Sequence, residues 1–205
     1  IRRAASLRPS IRKELGIEDE QLAVGIFGRI VEWKGQREFV QAILNVMDYS
    51  PHVLGVIVGD EADDSEKQYF ADIKQVIAKS QHRNRFILTG YRRDVEALYA
   101  AIDVFVHFSI EPEPFGMVVA EAMAAGKAVI AADDGGHLDL ADDACPDPRA
   151  IDPLDQVLQH ALERDDLLAD LERGALLEEQ EVQERASARA RRRMARGSRA
   201  RGAGR

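Results

Sequence analysis

Over residues 22–131, short apolar runs alternate with stretches in which apolar positions recur every three or four residues. Leu22–Phe27 is an unbroken apolar run closed by Gly28, the pattern of a strand buried on both faces. Residues 36–47 then place Phe39, Val40, Ile43, Leu44 and Met47 on one helical face. Val53–Val58 predicts a second strand, closed by Gly59 and Asp60. Residues 65–79 read as a helix with Ser65 as its cap. A third strand is expected over 85–88, a short helix over 93–101, a fourth strand over 103–108 and a fifth over 127–131. Ahead of them all, Arg12 to Gly16 reads as the end of a short helix.

The alternation predicts an α/β domain: a doubly wound, Rossmann-like parallel sheet with helices on both faces. Ligands of such sheets bind beyond the C-terminal ends of the strands. Arg29, Tyr91, Glu113 and Asp133 each follow a predicted strand, so all four fall at that edge.

Between the fourth and fifth strands lies the stretch that organises the rest, Glu113 to Gly126. Pro114 suits a first helical turn and Gly126 a stop. The helix between them is apolar on almost every side, which predicts burial on more than one face. It carries one carboxylate, Glu121, which in such company needs a partner or a task. Glu113 stands ahead of the first turn, roughly 12 Å away at helical rise. The free N–H groups of Phe115, Gly116, Met117 and Val118 lie between the two acids and form an anion-binding end. Gly116 also lets a ligand approach the backbone closely. A carboxylate, a phosphate site and a second carboxylate in a row suit a nucleotide sugar.

Composition narrows this reading. The 205 residues fit one domain and are 45% hydrophobic, enough for a sizeable core. Cys145 is the only cysteine, which fits a reducing, cytoplasmic setting. No apolar run reaches the length that crosses a bilayer. No signal-peptide pattern is read in the opening residues, and isoleucine at position 1 leaves room for a preceding segment. The net charge of -8 is unevenly spread: residues 185–205 hold nine arginines and no acids, so 1–184 carry -17. An acidic body does not bind nucleic acid by charge, so no specific nucleic-acid partner is expected. The basic tail could touch anionic lipid or nucleic acid; a solvated low-complexity extension is the preferred reading. Five scattered histidines and one cysteine make no metal constellation. No G-x-G-x-x-G follows the first strand, against a dinucleotide site.

Four motifs in order carry a family resemblance. Glu113 and Glu121 resemble the Glu-x7-Glu signature of the retaining glycosyltransferases of family 4, the group 1 transferases with the GT-B fold. Gly28-Arg29-Ile30-Val31-Glu32-Trp33-Lys34-Gly35 is similar to that family's G-R-x4-K-G phosphate loop. Thr89-Gly90-Tyr91 resembles its base-binding turn, and Asp133-Asp134-Gly135-Gly136 its glycine-rich turn.

The resemblance implies a hexosyl transfer from a nucleoside diphosphate sugar with retention, part of carbohydrate biosynthesis, with no metal and no cofactor. It implies that Arg29 and Lys34, behind Gly28, neutralise the donor diphosphate and the charge growing on it as the sugar leaves. Glu113 would hold hydroxyls of the transferred sugar, with Glu111 two residues earlier; the spacing to Glu121 selects Glu113. Glu121 would accept from the ribose hydroxyls. Gly135 and Gly136 would let the backbone near the sugar or phosphate, though an ordinary turn reads almost as well. Tyr91 with Arg92 is the candidate base platform, with core packing as the plain alternative. His107 reads better as a hydrogen-bonded core residue, and the family often has proline at the neighbouring position, where this chain has Phe108. A two-carboxylate glycosidase scheme does not fit, since its carboxyls stand roughly 5–9.5 Å apart.

The expected organisation is a hinge or lead-in over 1–20, a donor-binding domain over 21–180 and an arginine-rich, disordered tail over 181–205. Helices are expected at 154–162 and 167–177 after a loop at 141–152. The resemblance covers only the C-terminal half of a GT-B enzyme. The expected partner is therefore an N-terminal acceptor domain, on a missing or separate chain. The alternative is a non-catalytic nucleotide-sugar-binding module. A catalytic complex predicts an exposed apolar face near the central helix, and a self-sufficient module a polar one.

Overall fold

The computed structural model describes residues 2–111 and 117–131, with side chains from Ser6 onward. The segments 112–116 and 132–205 lie outside it, and with them the expected helices at 154–162 and 167–177, the loop at 141–152 and the tail.

Among the described residues five strands, β1 (Leu22–Phe27), β2 (Val53–Val58), β3 (Phe86–Gly90), β4 (Val104–His107) and β5 (Ala128–Ala131), form one sheet. All pairings are parallel, in the order β3-β2-β1-β4-β5. Five helices, α1 (Arg2–Leu15), α2 (Gln36–Met47), α3 (Asp64–Lys79), α4 (Val95–Ala101) and α5 (Met117–Ala124), cover it. Side chains alternate along each strand, so each face builds its own core. Val24, Ile26, Ile57 and Val106 pack with Phe39 and Ile43 of α2 and Phe70 and Ile73 of α3. Ala23, Val56, Val58 and Phe105 pack with Ile11 of α1, Leu98 and Tyr99 of α4 and Val119 of α5. This is the doubly wound sheet that the alternation predicts.

β1 is the switch strand. The chain runs outward through β2 and β3, then returns to lay β4 on the other side of β1. The β1–β2 ladder runs the full length from Leu22/Val53 to Phe27/Val58. The β1–β4 ladder holds only Val24/Val104 and Gly25/Phe105. Both strands continue beyond it, so a crevice opens between their C-terminal ends.

Several boundaries differ from expectation, each for a local reason. The cap of α3 is Asp63, not Ser65: the Asp63 carboxylate accepts from the Ser65 and Glu66 N–H groups, and these bonds hold its pKa below the ordinary value. β3 starts at Phe86 because Arg85 belongs to a 3-10 turn and donates to the carbonyls of Met47 and Ser50. α4 starts at Val95 because Arg92 and Asp94 pair ahead of it. α5 is not buried on more than one face. Only Val119 and Ala122 are buried, while Met117 and Met123 are exposed. It packs on β5 and β4, and β5 is the last strand of the sheet among the described residues.

The lead-in segment is helix α1, docked by charge as well as by Ile11. Arg12, 2% exposed, donates to the carbonyls of Glu18, Gln21 and Ala101 and to the Asp103 carboxylate. Asp103 also accepts from Arg8 and from the Ala23 N–H. This closes the sheet edge opposite the crevice.

Candidate functional site

The β1–α2 loop reaches the crevice under tight backbone constraint. The Gly28 N–H donates to Val58 O and the Ile30 N–H to Asp60 O. A Cβ on Gly59 would lie 1.8 Å from Gly28 O, so the β1 and β2 exits touch backbone to backbone. Gln36, 1% exposed, donates from Nε2 to Arg29 O at 2.8 Å and pins the carbonyl next to the exposed guanidinium. At the far end of the loop, Gly35 has φ +72, and a Cβ there would lie 2.0 Å from Phe108 O. The Ile110 N–H donates to Trp33 O at 2.7 Å. The loop after β1 is thus stapled to the loop after β4 across the switch point.

Arg29 and Lys34 stand at the two ends of this loop. Arg29 Nε lies 3.2 Å from Glu66 Oε1, on α3. Glu66 is 5% exposed, and its other oxygen accepts from the Ala62 N–H at 2.6 Å. Arg29 is a restrained cation whose charge is partly offset. Lys34 lies over the Trp33 ring, 4.4 Å from its centroid.

Glu121 lies on the second turn of α5 and is exposed, in contrast to the apolar company its sequence implied. The partner that a carboxylate there requires is Tyr99. Its single O–H is shared between Glu121 Oε2 at 3.0 Å and Val118 O at 3.1 Å. The Tyr99 ring packs 4.5 Å from the Phe27 centroid and 5.7 Å from Phe105. Burial, followed by the Glu121 charge, pushes the phenol pKa up. Among backbone donors proposed for the anion site, Met117 and Val118 open α5 as described.

Tyr91 is 69% exposed after β3, which excludes the core-packing alternative. Arg92 is occupied: it pairs with Asp94 at 2.5 Å and Glu14 at 2.7 Å, and these bonds raise its pKa. It staples α1 to the β3–α4 loop rather than extending a platform freely. His107 is buried beneath the crevice with Nε2 3.3 Å from Ser109 Oγ, the core histidine expected. Glu113, Phe115, Gly116, Gly135 and Gly136 lie outside the described residues. Among the described residues no cluster of His, Cys, Asp or Glu could hold a metal ion, and no helix is long and apolar enough to cross a membrane.

The family model for group 1 glycosyl transferases matches residues 8–193. The chain belongs to that family. This group 1 chain is 31% identical over 129 residues to the lipopolysaccharide core biosynthesis mannosyltransferase LpsB of Rhizobium meliloti, covering 63% of this chain and 36% of that one. It is 34% identical over 137 residues to a GDP-mannose-dependent alpha-mannosyltransferase of Mycobacterium tuberculosis, covering 67% and 32%. The crystal structure of Anabaena Alr3699/HepE in complex with UDP and glucose superposes with a TM-score of 0.72 at 31% identity, over 90% of this chain and 48% of that one. The fold is also that of the C-terminal domain of a group 1 protein, LpcC, from Francisella tularensis, with a TM-score of 0.67 over 84% of that chain. The chain spans about a third of the length of the curated relatives it matches.

Three residues that bear on this candidate site in the group 1 chain are not singled out by the sequence. Gln36 was visible only as a polar residue opening an apolar helix. Glu66 sat among five acids within 60–66, with nothing to single it out. Tyr99 lies within the short helix expected over 93–101, where nothing in the sequence singles it out.

Proposed function

We propose that this chain is the donor-binding half of a retaining, family 4 type hexosyltransferase, which moves a sugar from a nucleoside diphosphate sugar to an acceptor. The observation that carries the reading is the loop from Gly28 to Gly35, locked by backbone contacts at the switch point of the sheet with Arg29 at its start and Lys34 at its end. The similar Anabaena protein is in complex with UDP and glucose, which supports a nucleoside diphosphate sugar as the ligand. Retention rests on the resemblance of Glu113 and Glu121 to the Glu-x7-Glu signature.

In this reading Arg29 and Lys34 meet the diphosphate, and the α5 end at Met117 and Val118, with Phe115 and Gly116 before it, offers N–H groups to the same anion. Glu121 accepts from the ribose, Tyr91 faces the base, and Glu113, Gly135 and Gly136 face the sugar. The diphosphate leaves and the acceptor attacks on the same face. Stabilisation of the leaving charge by fixed donors is the chief contribution of this half. No metal enters the scheme. An acceptor-binding domain completes the site. Ile110, Met117 and Met123, all exposed near α5, favour that partner over a self-sufficient module.

Calorimetric titration of the chain with UDP, GDP and ADP tests the reading. One of the three binds, and both Arg29→Ala and Glu121→Ala weaken it at least about tenfold, or 1.4 kcal/mol. A folded chain that binds none of them refutes an autonomous donor site.

A further inference from the structure

We propose that Tyr99 is a positioning residue that holds the Glu121 carboxylate for the ribose and so sets the preference of the site for ribonucleotides over deoxyribonucleotides. The inference rests on the reading of Glu121 as the ribose acceptor. Glu121 is an exposed, rotamer-rich side chain, and ordering such a chain on binding lowers affinity. Its Oε2 is already anchored by a hydroxyl 3.0 Å away. That hydroxyl belongs to a buried ring wedged against Phe27 and Phe105. The same O–H is shared with Val118 O, so the carboxylate and the first turn of α5 share one anchor in the sheet core.

An ionised carboxylate has about four acceptor directions, and Tyr99 occupies one. The remaining capacity suits a vicinal diol. A phenol that burial keeps protonated stays a donor, so the carboxylate remains held while it accepts from sugar hydroxyls. Substitution of tyrosine by phenylalanine removes the hydroxyl's bonds to Glu121 and to Val118 O and keeps the ring packing.

The test titrates the full chain with UDP, GDP and ADP and with the 2′-deoxy form of each. The ribonucleotide that binds does so at least about tenfold tighter than its deoxy form. Glu121→Ala abolishes that ratio. Tyr99→Phe lowers it about threefold or more, and adding it to Glu121→Ala changes nothing further. A full ratio in Tyr99→Phe overturns the inference alone, leaving the donor site standing. A full ratio in Glu121→Ala, or no nucleotide bound by the wild type, overturns the reading of the site and this inference with it. Should Tyr99→Phe fail to fold, Glu121→Asp decides instead. It draws the carboxylate one methylene away from Tyr99 without touching the core, and an undiminished ratio overturns the inference.

Discussion

Replacing Gly35 by alanine places a methyl group where the fold has a carbonyl. The new Cβ would sit 2.0 Å from Phe108 O and 3.1 Å from both Phe108 C and Cδ1. Ordinary carbon–oxygen contact lies more than 1 Å further out, and the atom in the way is backbone. The site also has φ +72, which costs a residue with a Cβ about 1–2 kcal/mol before any clash. Relief requires the loop after β4 to move away, which breaks the Ile110 N–H to Trp33 O bond, worth about 0.5–1.5 kcal/mol. Together these give roughly 1.5–3.5 kcal/mol, a large fraction of the stability of a small domain. Urea unfolding of Gly35→Ala against wild type measures the loss. Nucleotide titration of the surviving folded protein measures the function, and binding should weaken as the loop that carries Arg29 and Lys34 shifts. A variant within about 0.5 kcal/mol of wild type, with unchanged binding, would refute the claim that this junction is braced.

Two further substitutions test the opposite edge of the sheet. Arg12→Met removes a buried guanidinium from three carbonyls and Asp103, and should lower stability by about 3–5 kcal/mol in urea unfolding. Lys127 is pushed down to about 8 by burial and by the nearby Arg8, below its unfolded value. The unfolded chain therefore holds more protons between pH 8 and roughly 10.4, and stability gains from this group as pH rises through that window. Lys127→Met should be stabilising at pH 7 and lose that advantage by about pH 10, which urea midpoints at the two pH values will show.

The sheet was legible because its signal is local. β1, α2 and β2 run between the residues that the apolar runs mark, closed by glycines at 28 and 59. The ligand edge at the strand C-terminal ends followed from the alternation of strands and helices. Other features depended on contacts between distant residues. α5 looks buried all round by composition, yet its burial is set by which strand lies at the sheet edge. Arg92 reads as a free cation beside an aromatic residue until Glu14, 78 positions away, is brought against it. Tyr99 and Glu66 acquire their roles in the same way, through partners that sequence spacing does not bring together.

The anchoring of α1 also sets an order of events during synthesis. The Arg12 guanidinium finds Ala101 O across 89 residues, and the Ala23 N–H finds the Asp103 carboxylate across 80. At about 5–20 residues per second, a growing chain holds Arg12 without these acceptors for roughly 5–20 s. The β1–α2–β2 unit needs no residue beyond Val58 to pair. Helix α1, made before the residues that anchor it, is thus among the last of the described elements to dock. Closing loops this long is what slows a parallel fold.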